Sequence, residues 1–411
     1  MANPTLNTGV ARVKFGKMML WWAANESPFM KLSGGGKGSN KAIYLVPDSK
    51  GEAFSTYRVD YTDQFWVEPT PGAAVLEDNL GTSGYRVVTG TRISLAAGIP
   101  INKSVWTQAF GKPQLVKDHT EMLGRLFAVY HSLYVVSIAG AYTPSAITTA
   151  TTTATFWDAL NPNNSTTLAA FKAIVNLANI GTSSAASSTA YNVFFAGLDE
   201  NEDPITAPAA DTWNDILANP KDHKLSPASF RAFNMYNRGR SIPRLDVDFN
   251  GKPTKAYMVF LPPAAIYDLR EDDEYRTAVT SGSVSAKEMW NGKPFGGYMC
   301  DGVILVEAEH SGYNAAAGSD SGLVRDTPLR SESCQNDGFA AYEGLGFGAN
   351  SLGQAEFDDF EVVENDRHDF NRKVELGADV CTGLVALQRS DKNGTARRNV
   401  TSFCFAASNW G

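Results

Sequence analysis

One long helical stretch, Lys112–Ala139, constrains the fold of this chain more than any other feature. Pro113 suits the first turn of a helix, where its missing amide hydrogen would have no intrahelical partner. Apolar side chains then recur at helical spacing, interrupted by His119: Leu115, Met122, Leu126, Val129, Leu133 and Val136. The helix would be about 40 Å long. Because charged residues crowd its first half, we predict a structural spine and not a membrane span.

Two β-prone runs precede this helix. Residues Ala53–Val67 alternate aromatic and polar side chains, and a second run covers Tyr85–Leu95. Pro69, Pro71 and Gly72 supply turn signals between them. The local sequence offers no further strand or helix to cover this two-stranded extension, and an isolated hairpin is marginally stable in water. We therefore expect the hairpin to pack on another molecule.

The first fifty residues differ in charge from the whole chain. They hold seven basic residues against two acidic ones, whereas the chain has 36 Lys and Arg against 44 Asp and Glu, a net charge of -8. The molecule as a whole is therefore not built to attract nucleic acid. Trp21, Trp22 and Phe29 suggest an arm that lies on an acidic surface or on packaged nucleic acid, and a solvated tail is the alternative.

Later elements indicate an α+β protein whose units are interleaved along the chain. Ser226 before Pro227 is a good cap for a helix that extends to Arg238. The predicted strands and helices after it are buried strands at Ala256–Leu261 and Gly302–Glu307, a short helix carrying Ile266 and Leu269, a helix at Asp369–Leu384, and a closing hairpin of Val385–Arg389 with Val400–Phe405.

No pattern in the sequence predicts catalysis, a cofactor or a metal site. Ser321 lies in an Asp-Ser-Gly string that resembles a serine-protease nucleophile, but no histidine stands in a supporting context. Glu307 and Glu309 alternate on one strand and could serve glycoside hydrolysis only with a second element opposite them. The four cysteines have no zinc spacing, and together with the absence of a signal-peptide core they predict reduced thiols in the cytosol. A cytosolic hydrolase using Ser321 or the glutamate pair remains the alternative.

Several strings, in their order, resemble the major capsid proteins of tailed bacteriophages with the Hong Kong 97-type fold, in particular the branch typified by N-four-like phages. The strings are Ser27-Pro28-Phe29-Met30-Lys31, Leu76-Glu77-Asp78-Asn79, Tyr257 to Pro262 followed by Asp268-Leu269-Arg270, Gly302 to Glu307, and Asp369 to Val385 containing Leu376-Gly377-Ala378. The sequence departs from the family at Arg92-Ile93-Ser94-Leu95, and residues 141–222 are enlarged.

The resemblance implies an N-terminal arm (1–50), an extended loop (51–105), a peripheral domain with the spine helix and an insertion (106–245), an axial domain (246–365) and a return to the peripheral domain (366–411). It implies a structural protein, not an enzyme, that assembles in the host cytoplasm as hexamers and pentamers of an icosahedral virion shell around double-stranded DNA. Scaffolding, portal and decoration proteins would be possible partners, and DNA contact would be non-specific. A nanocompartment shell resembling encapsulins is another alternative. The residues predicted to contact neighbouring subunits are Trp21, Trp22, Phe29, Tyr57, Tyr61, Phe65, Trp66, Tyr85 and Arg86.

Overall fold

The computed structural model describes most of the predicted elements. The described residues are 9–30, 33–34, 42–46, 53–59, 85–91, 93–102, 112–140, 192–197, 212–249, 252–273, 275–276, 298–300, 302–308, 329–334, 338–355, 361–368, 373–390 and 396–408. The helices among them are α1 (Gly9–Glu26), α2 (Lys112–Ala139), α3 (Thr212–Ala218), α4 (Pro227–Gly239) and α5 (Pro263–Glu271), with a 3-10 turn at Pro220–His223.

The strands among the described residues are β1 (Ser33–Gly34), β2 (Ile43–Val46), β3 (Ala53–Val59), β4 (Tyr85–Thr91), β5 (Ile93–Asn102), β6 (Asn192–Phe195), β7 (Leu245–Phe249), β8 (Lys252–Leu261), β9 (Tyr298–Cys300), β10 (Val303–Glu307), β11 (Arg330–Ser333), β12 (Phe339–Phe347), β13 (Leu352–Ala355), β14 (Glu361–His368), β15 (Lys373–Thr382), β16 (Leu384–Ala386), β17 (Gln388–Ser390), β18 (Ala396–Arg398) and β19 (Val400–Ser408).

The largest sheet joins strands that are far apart in sequence. Its order is β6-β19-β12-β8-β10-β9, with β11 and β7 at the sides of β12 and β8. The pairs β6–β19 and β8–β10 are parallel, and β12 is antiparallel to both β8 and β19. Smaller sheets have the orders β1-β2-β13-β16 and β14-β15-β5, and two hairpins pair β3 with β4 and β17 with β18.

Alternating side chains of the largest sheet build separate cores on its two faces, and a smaller third cluster joins Phe195, Ala341 and Cys404 of the sheet to Ile216 of α3. Tyr257 and Phe403 face α4 and α5, whereas Phe260 and Phe347 face the second half of α2. Helices therefore cover both faces of the sheet. The strands are apolar on both faces, as expected for strands buried on two sides.

Several predicted elements are confirmed by the structure. Helix α2 has the predicted bounds, and α4 begins after Ser226, whose hydroxyl oxygen accepts the Ser229 amide at 3.4 Å. The two predicted buried strands are β8 and β10, and α5 buries Ile266 and Leu269. Local sequence signals were sufficient for these elements.

Other predictions are wrong. The predicted helix at Asp369–Leu384 is in fact strand β15, whose ten residues pair with β5 while the other edge pairs with β14. The predicted closing hairpin is displaced: β17 pairs with β18, and β19 instead enters the largest sheet. One residue of the apolar row assigned to α2 is wrongly placed: Met122 is 54% exposed while the adjacent Leu123 is buried, although Val136 of the same row is buried as predicted.

Candidate assembly surfaces

Helix α1 packs closely along the first part of α2. Met19 and Ala23 of α1 lie buried with Leu123 and Phe127 of α2. The helices approach each other at Gly124, where an added Cβ would lie 2.7 Å from the Met19 carbonyl oxygen and 2.9 Å from the Trp22 Cβ. Sequence reasoning missed this helix, because the basic residues and the scattered aromatic residues indicated an arm.

The two tryptophans of α1 have different environments. Trp22 lies under the guanidinium of Arg125, with 5.6 Å from Cζ to the ring centroid, and Arg125 also pairs with Glu26 at 3.5 Å and Glu121 at 2.9 Å. Trp21 contacts Trp22 edge to face at 4.8 Å and is 57% exposed. Trp21 is therefore a large apolar side chain that its own subunit leaves accessible.

Phe29 must be removed from the predicted neighbour contacts. Its side chain has 0% exposure and lies 4.5 Å from the Phe260 ring and 6.2 Å from the Phe347 ring, measured between centroids. The segment that follows α1 thus ends in the core of its own chain. A hydrogen bond of 3.1 Å between the hydroxyls of Ser27 and Ser132 fixes the same segment to α2.

The β3–β4 hairpin carries three of the other predicted residues. Its register sets Tyr57 opposite Val87 and Val59 opposite Tyr85. Because opposite residues share a face and alternate residues return to it, these four apolar residues occupy positions on one face of the ribbon, which we call the apolar face. Arg86 lies on the other face, opposite Arg58.

The remaining predicted contacts, Tyr61, Phe65 and Trp66, lie outside the described residues. The hairpin is a separate two-stranded sheet, as the sequence predicted for its paired part. Two further apolar side chains are exposed on helices that flank the largest sheet, Met235 on α4 and Tyr267 on α5.

A buried polar contact joins α2 to the β1-β2-β13-β16 sheet. The His131 Nε2 atom lies 3.3 Å from the Gln354 side-chain nitrogen, and the Leu384 amide donates to the Tyr134 hydroxyl at 3.3 Å. Burial lowers the pKa of His131 to about 4, and burial raises the pKa of Tyr134 to about 12 against the opposing effect of the Leu384 hydrogen bond. Both side chains are therefore neutral at pH 7.

The structure describes only part of the residues proposed for catalysis. Glu307 is exposed at the end of β10, whereas Glu309 and Ser321 lie outside the described residues. Within the described ranges, no group of three or more His, Cys, Asp or Glu side chains is placed to hold a metal ion. No helix in the described part of the chain is long and apolar enough to cross a membrane.

Comparisons with solved structures identify the fold. The capsid of Ralstonia phage GP4 matches with a TM-score of 0.58 and 14% identity over 94% of this chain and 93% of that chain. The capsid asymmetric unit of cyanophage Pam1 matches with a TM-score of 0.52 and 14% identity over 94% of each chain. The chain has the phage-capsid fold. The capsid of Helicobacter pylori bacteriophage KHP30 shares this fold, with a TM-score of 0.51 and 11% identity over 93% of this chain and 91% of that chain.

The phage-capsid fold confirms the predicted α+β class and the resemblance to capsid proteins of the Hong Kong 97 type. The match extends over nearly the whole length of both chains, so it does not rest on one shared motif. No protein-family model matches the sequence, and no curated protein matches it either. The relationship is therefore carried by three-dimensional structure at low sequence identity.

Proposed function

We propose that this chain is the major capsid protein of a tailed bacteriophage and assembles as hexamers and pentamers of an icosahedral shell around double-stranded DNA. The observation that carries the proposal is the full-length similarity of its fold to phage capsids. A shell protein works through repeated contacts between identical copies, and closed symmetry multiplies each modest contact over the assembly.

The surface of the subunit supports this role. Trp21 is 57% exposed on α1, and the β3–β4 hairpin is a sheet of only two strands. An exposed tryptophan and a two-stranded sheet both gain stability when a neighbouring copy packs against them. The proposed neighbour contacts are therefore Trp21 and Trp22 of α1 and Tyr57, Tyr85 and Arg86 of the hairpin, together with Tyr61, Phe65 and Trp66.

The wider context of this function follows from the same proposal. The protein would be located in the virion capsid after assembly in the host cytoplasm. Its partners would be other copies of itself, packaged DNA, and scaffolding, portal and decoration proteins. The finer division into arm, extended loop, peripheral domain and axial domain is part of the proposal.

The test is to express the full chain alone and with candidate scaffolding proteins from the same genome, and to analyse the products by sedimentation and electron microscopy. We expect hexameric and pentameric rings or closed particles of megadalton mass. A protein that remains monomeric under every assembly condition would contradict the proposal. Particles that enclose a protein cargo and exclude DNA would instead favour a nanocompartment shell.

A further inference from the structure

Arginines gather where the end of α4 meets the β17–β18 hairpin. Arg240 follows the last turn of α4, and Arg389 and Arg397 lie on the two strands of the hairpin. We call these three residues the arginine cluster. The segment 388–398 contains four basic residues and one acidic residue, in a chain whose net charge is -8. Two residues of the cluster therefore lie in a positively charged segment of a negatively charged molecule.

The guanidinium of Arg240 is held in a fixed orientation. Its Cζ atom lies 4.3 Å from the centroid of the Tyr236 ring, and its Nη1 atom donates to the Asn192 Oδ1 at 3.2 Å. Asn192 is fixed in turn, since its Nδ2 donates to the carbonyl oxygens of Arg398 at 2.6 Å and Val400 at 3.2 Å. The hydroxyl of Tyr236 donates to the Val193 carbonyl at 2.7 Å. A planar donor group is thus preorganised at the surface.

Positive charges approach one another within the cluster. The pKa of Arg240 is lowered, first by burial and also by repulsion from Arg397, against an opposing effect of Tyr236. The hairpin register sets Arg389 directly opposite Arg397. An anion bound beside Arg240 and Arg397 would reduce the repulsion between these two guanidinium groups.

The adjacent Arg398 binds α2 and is not part of the arginine cluster. Its Nη1 atom donates to the carbonyl oxygen of Ile138 in the last turn of α2 at 3.1 Å. A cation at that position also interacts favourably with the negative end of the helix dipole. Because adjacent residues of a strand point to opposite faces, Arg398 fixes the hairpin to α2 while Arg397 lies on the other face.

We propose that the arginine cluster is a contact site for the phosphates of packaged duplex DNA. This inference rests on the proposed function, which supplies the DNA. Guanidinium groups bind phosphate oxygens in a two-pronged geometry, and two or three held together suit the closely spaced charges of a duplex. No base edge needs to be read at such a site, so binding is independent of sequence.

The test measures the binding of a fluorescent 30-base-pair duplex to the full-length protein between 50 and 200 mM salt. The logarithm of the affinity falls as the logarithm of the salt concentration rises. Each lost phosphate contact makes this slope less steep by about 0.9. We expect Arg240→Gln combined with Arg397→Gln to make the slope less steep by about 2 and to weaken binding at 50 mM salt by roughly tenfold. Arg240→Lys combined with Arg397→Lys keeps both charges and should keep the slope.

The matched control is Arg231→Gln combined with Arg270→Gln, which removes the same charge at exposed positions of α4 and α5. We expect it to retain the wild-type slope. The inference is overturned if the cluster variant binds DNA like the wild type, if the control variant or the lysine pair loses the slope equally, or if polyglutamate competes for the cluster while DNA does not bind. That last result would assign the site to an acidic segment of a second copy.

The same preparations separate this inference from the proposed function. Particle formation by the wild-type chain reports on the shell role alone. Shells that assemble normally and show no cluster-dependent DNA binding would refute the inference and leave the shell role standing. Failure of the wild-type chain to assemble would refute the shell role, whatever the affinity for DNA.

Discussion

Gly124 shows how one residue sets the distance between two helices. A Cβ at this position would meet the backbone of α1 at the Met19 carbonyl, 2.7 Å away, so the contact cannot be relieved by turning a side chain. We expect Gly124→Ala to destabilise the subunit by about 1–3 kcal/mol through overpacking. The gain of about 1 kcal/mol in helix propensity opposes this effect. Urea unfolding of the subunit measures the net change.

The control for this substitution is Gly239→Ala in the last turn of α4. No atom lies within 4 Å of a Cβ added there, so the same change of residue type should be neutral or slightly stabilising. Equal effects at the two positions would show that α1 does not pack on α2 as described.

His131 links stability to pH through its burial. Its pKa is about 4 in the folded chain and 6.5 when unperturbed. Between these values the unfolded chain binds a proton that the folded chain does not, so stability falls as pH is lowered from 6.5 to 4. Above pH 6.5 the histidine is neutral in both states and contributes no pH dependence. The full loss is about 3 kcal/mol.

We expect His131→Gln to lose less stability than the wild type when urea midpoints are compared at pH 7 and pH 4.5. Carboxylates also titrate in this range, but they contribute equally to both proteins. His119→Gln, on the partly exposed side of α2, is the control and should follow the wild type. Identical pH profiles for the wild type and His131→Gln would refute this linkage.

At the scale of elements, the β3–β4 hairpin tests whether apolar surface is reserved for assembly. Tyr57 and Tyr85 share the apolar face, whereas Thr56 and Val88 lie opposite each other on the other face. We expect Tyr57→Ser combined with Tyr85→Ser to leave the subunit folded and to reduce the yield of particles at least tenfold. Sedimentation measures the yield, and circular dichroism checks the fold.

The matched hairpin control is Thr56→Ser combined with Val88→Ser, which changes the same strands on the other face. We expect it to assemble with a yield near that of the wild type. If the control loses assembly to the same extent, the hairpin requires strand propensity and not a particular apolar face.

Comparison of the predicted and observed elements shows which of them can be predicted from neighbouring residues alone. Helix α2 and the cap at Ser226 were predictable because their signals lie within one element. Strand β15 was predicted as a helix, although Val374, Leu376, Ala378 and Val380 alternate with polar or small residues; its partner β5 begins at Ile93, far away in sequence. Helix α1 could have been recognised from the proline-free run of helix-forming residues Lys17–Leu20.

The candidate sites, like the strands, depend on contacts that no local sequence signal predicts. Trp21 is exposed, as a contact residue should be, but no local signal distinguished it from Phe29, which is eight residues later and fully buried. The arginine cluster was invisible in the sequence, because Arg240 and Arg397 come together only when β19 enters the largest sheet next to β6. Non-local strand pairing therefore limits both the fold and the sites that can be derived from sequence.

At the scale of the whole molecule, Phe403 connects segments that are remote in sequence. Its ring stacks on Phe194 of β6 at 5.2 Å and contacts Phe230 and Phe233 of α4 at 5.7 and 5.0 Å, measured between centroids. Because the residue is fully buried, we expect Phe403→Ala to cost about 3–5 kcal/mol. Urea unfolding followed by both tryptophan fluorescence and circular dichroism measures this cost.

The number of steps in the urea transition of Phe403→Ala reports whether the largest sheet and its helices unfold as one unit. If β19 couples the two faces of the largest sheet into one cooperative unit, the variant should unfold in a single step at lower urea, with both probes coincident. Tyr267→Ala is the control, because this aromatic side chain is 45% exposed and its loss should change stability by less than about 1 kcal/mol. Two separate transitions in the Phe403 variant would mean that the helices on one face of the sheet fold independently of α2 on the other, and that the chain is not one cooperative unit.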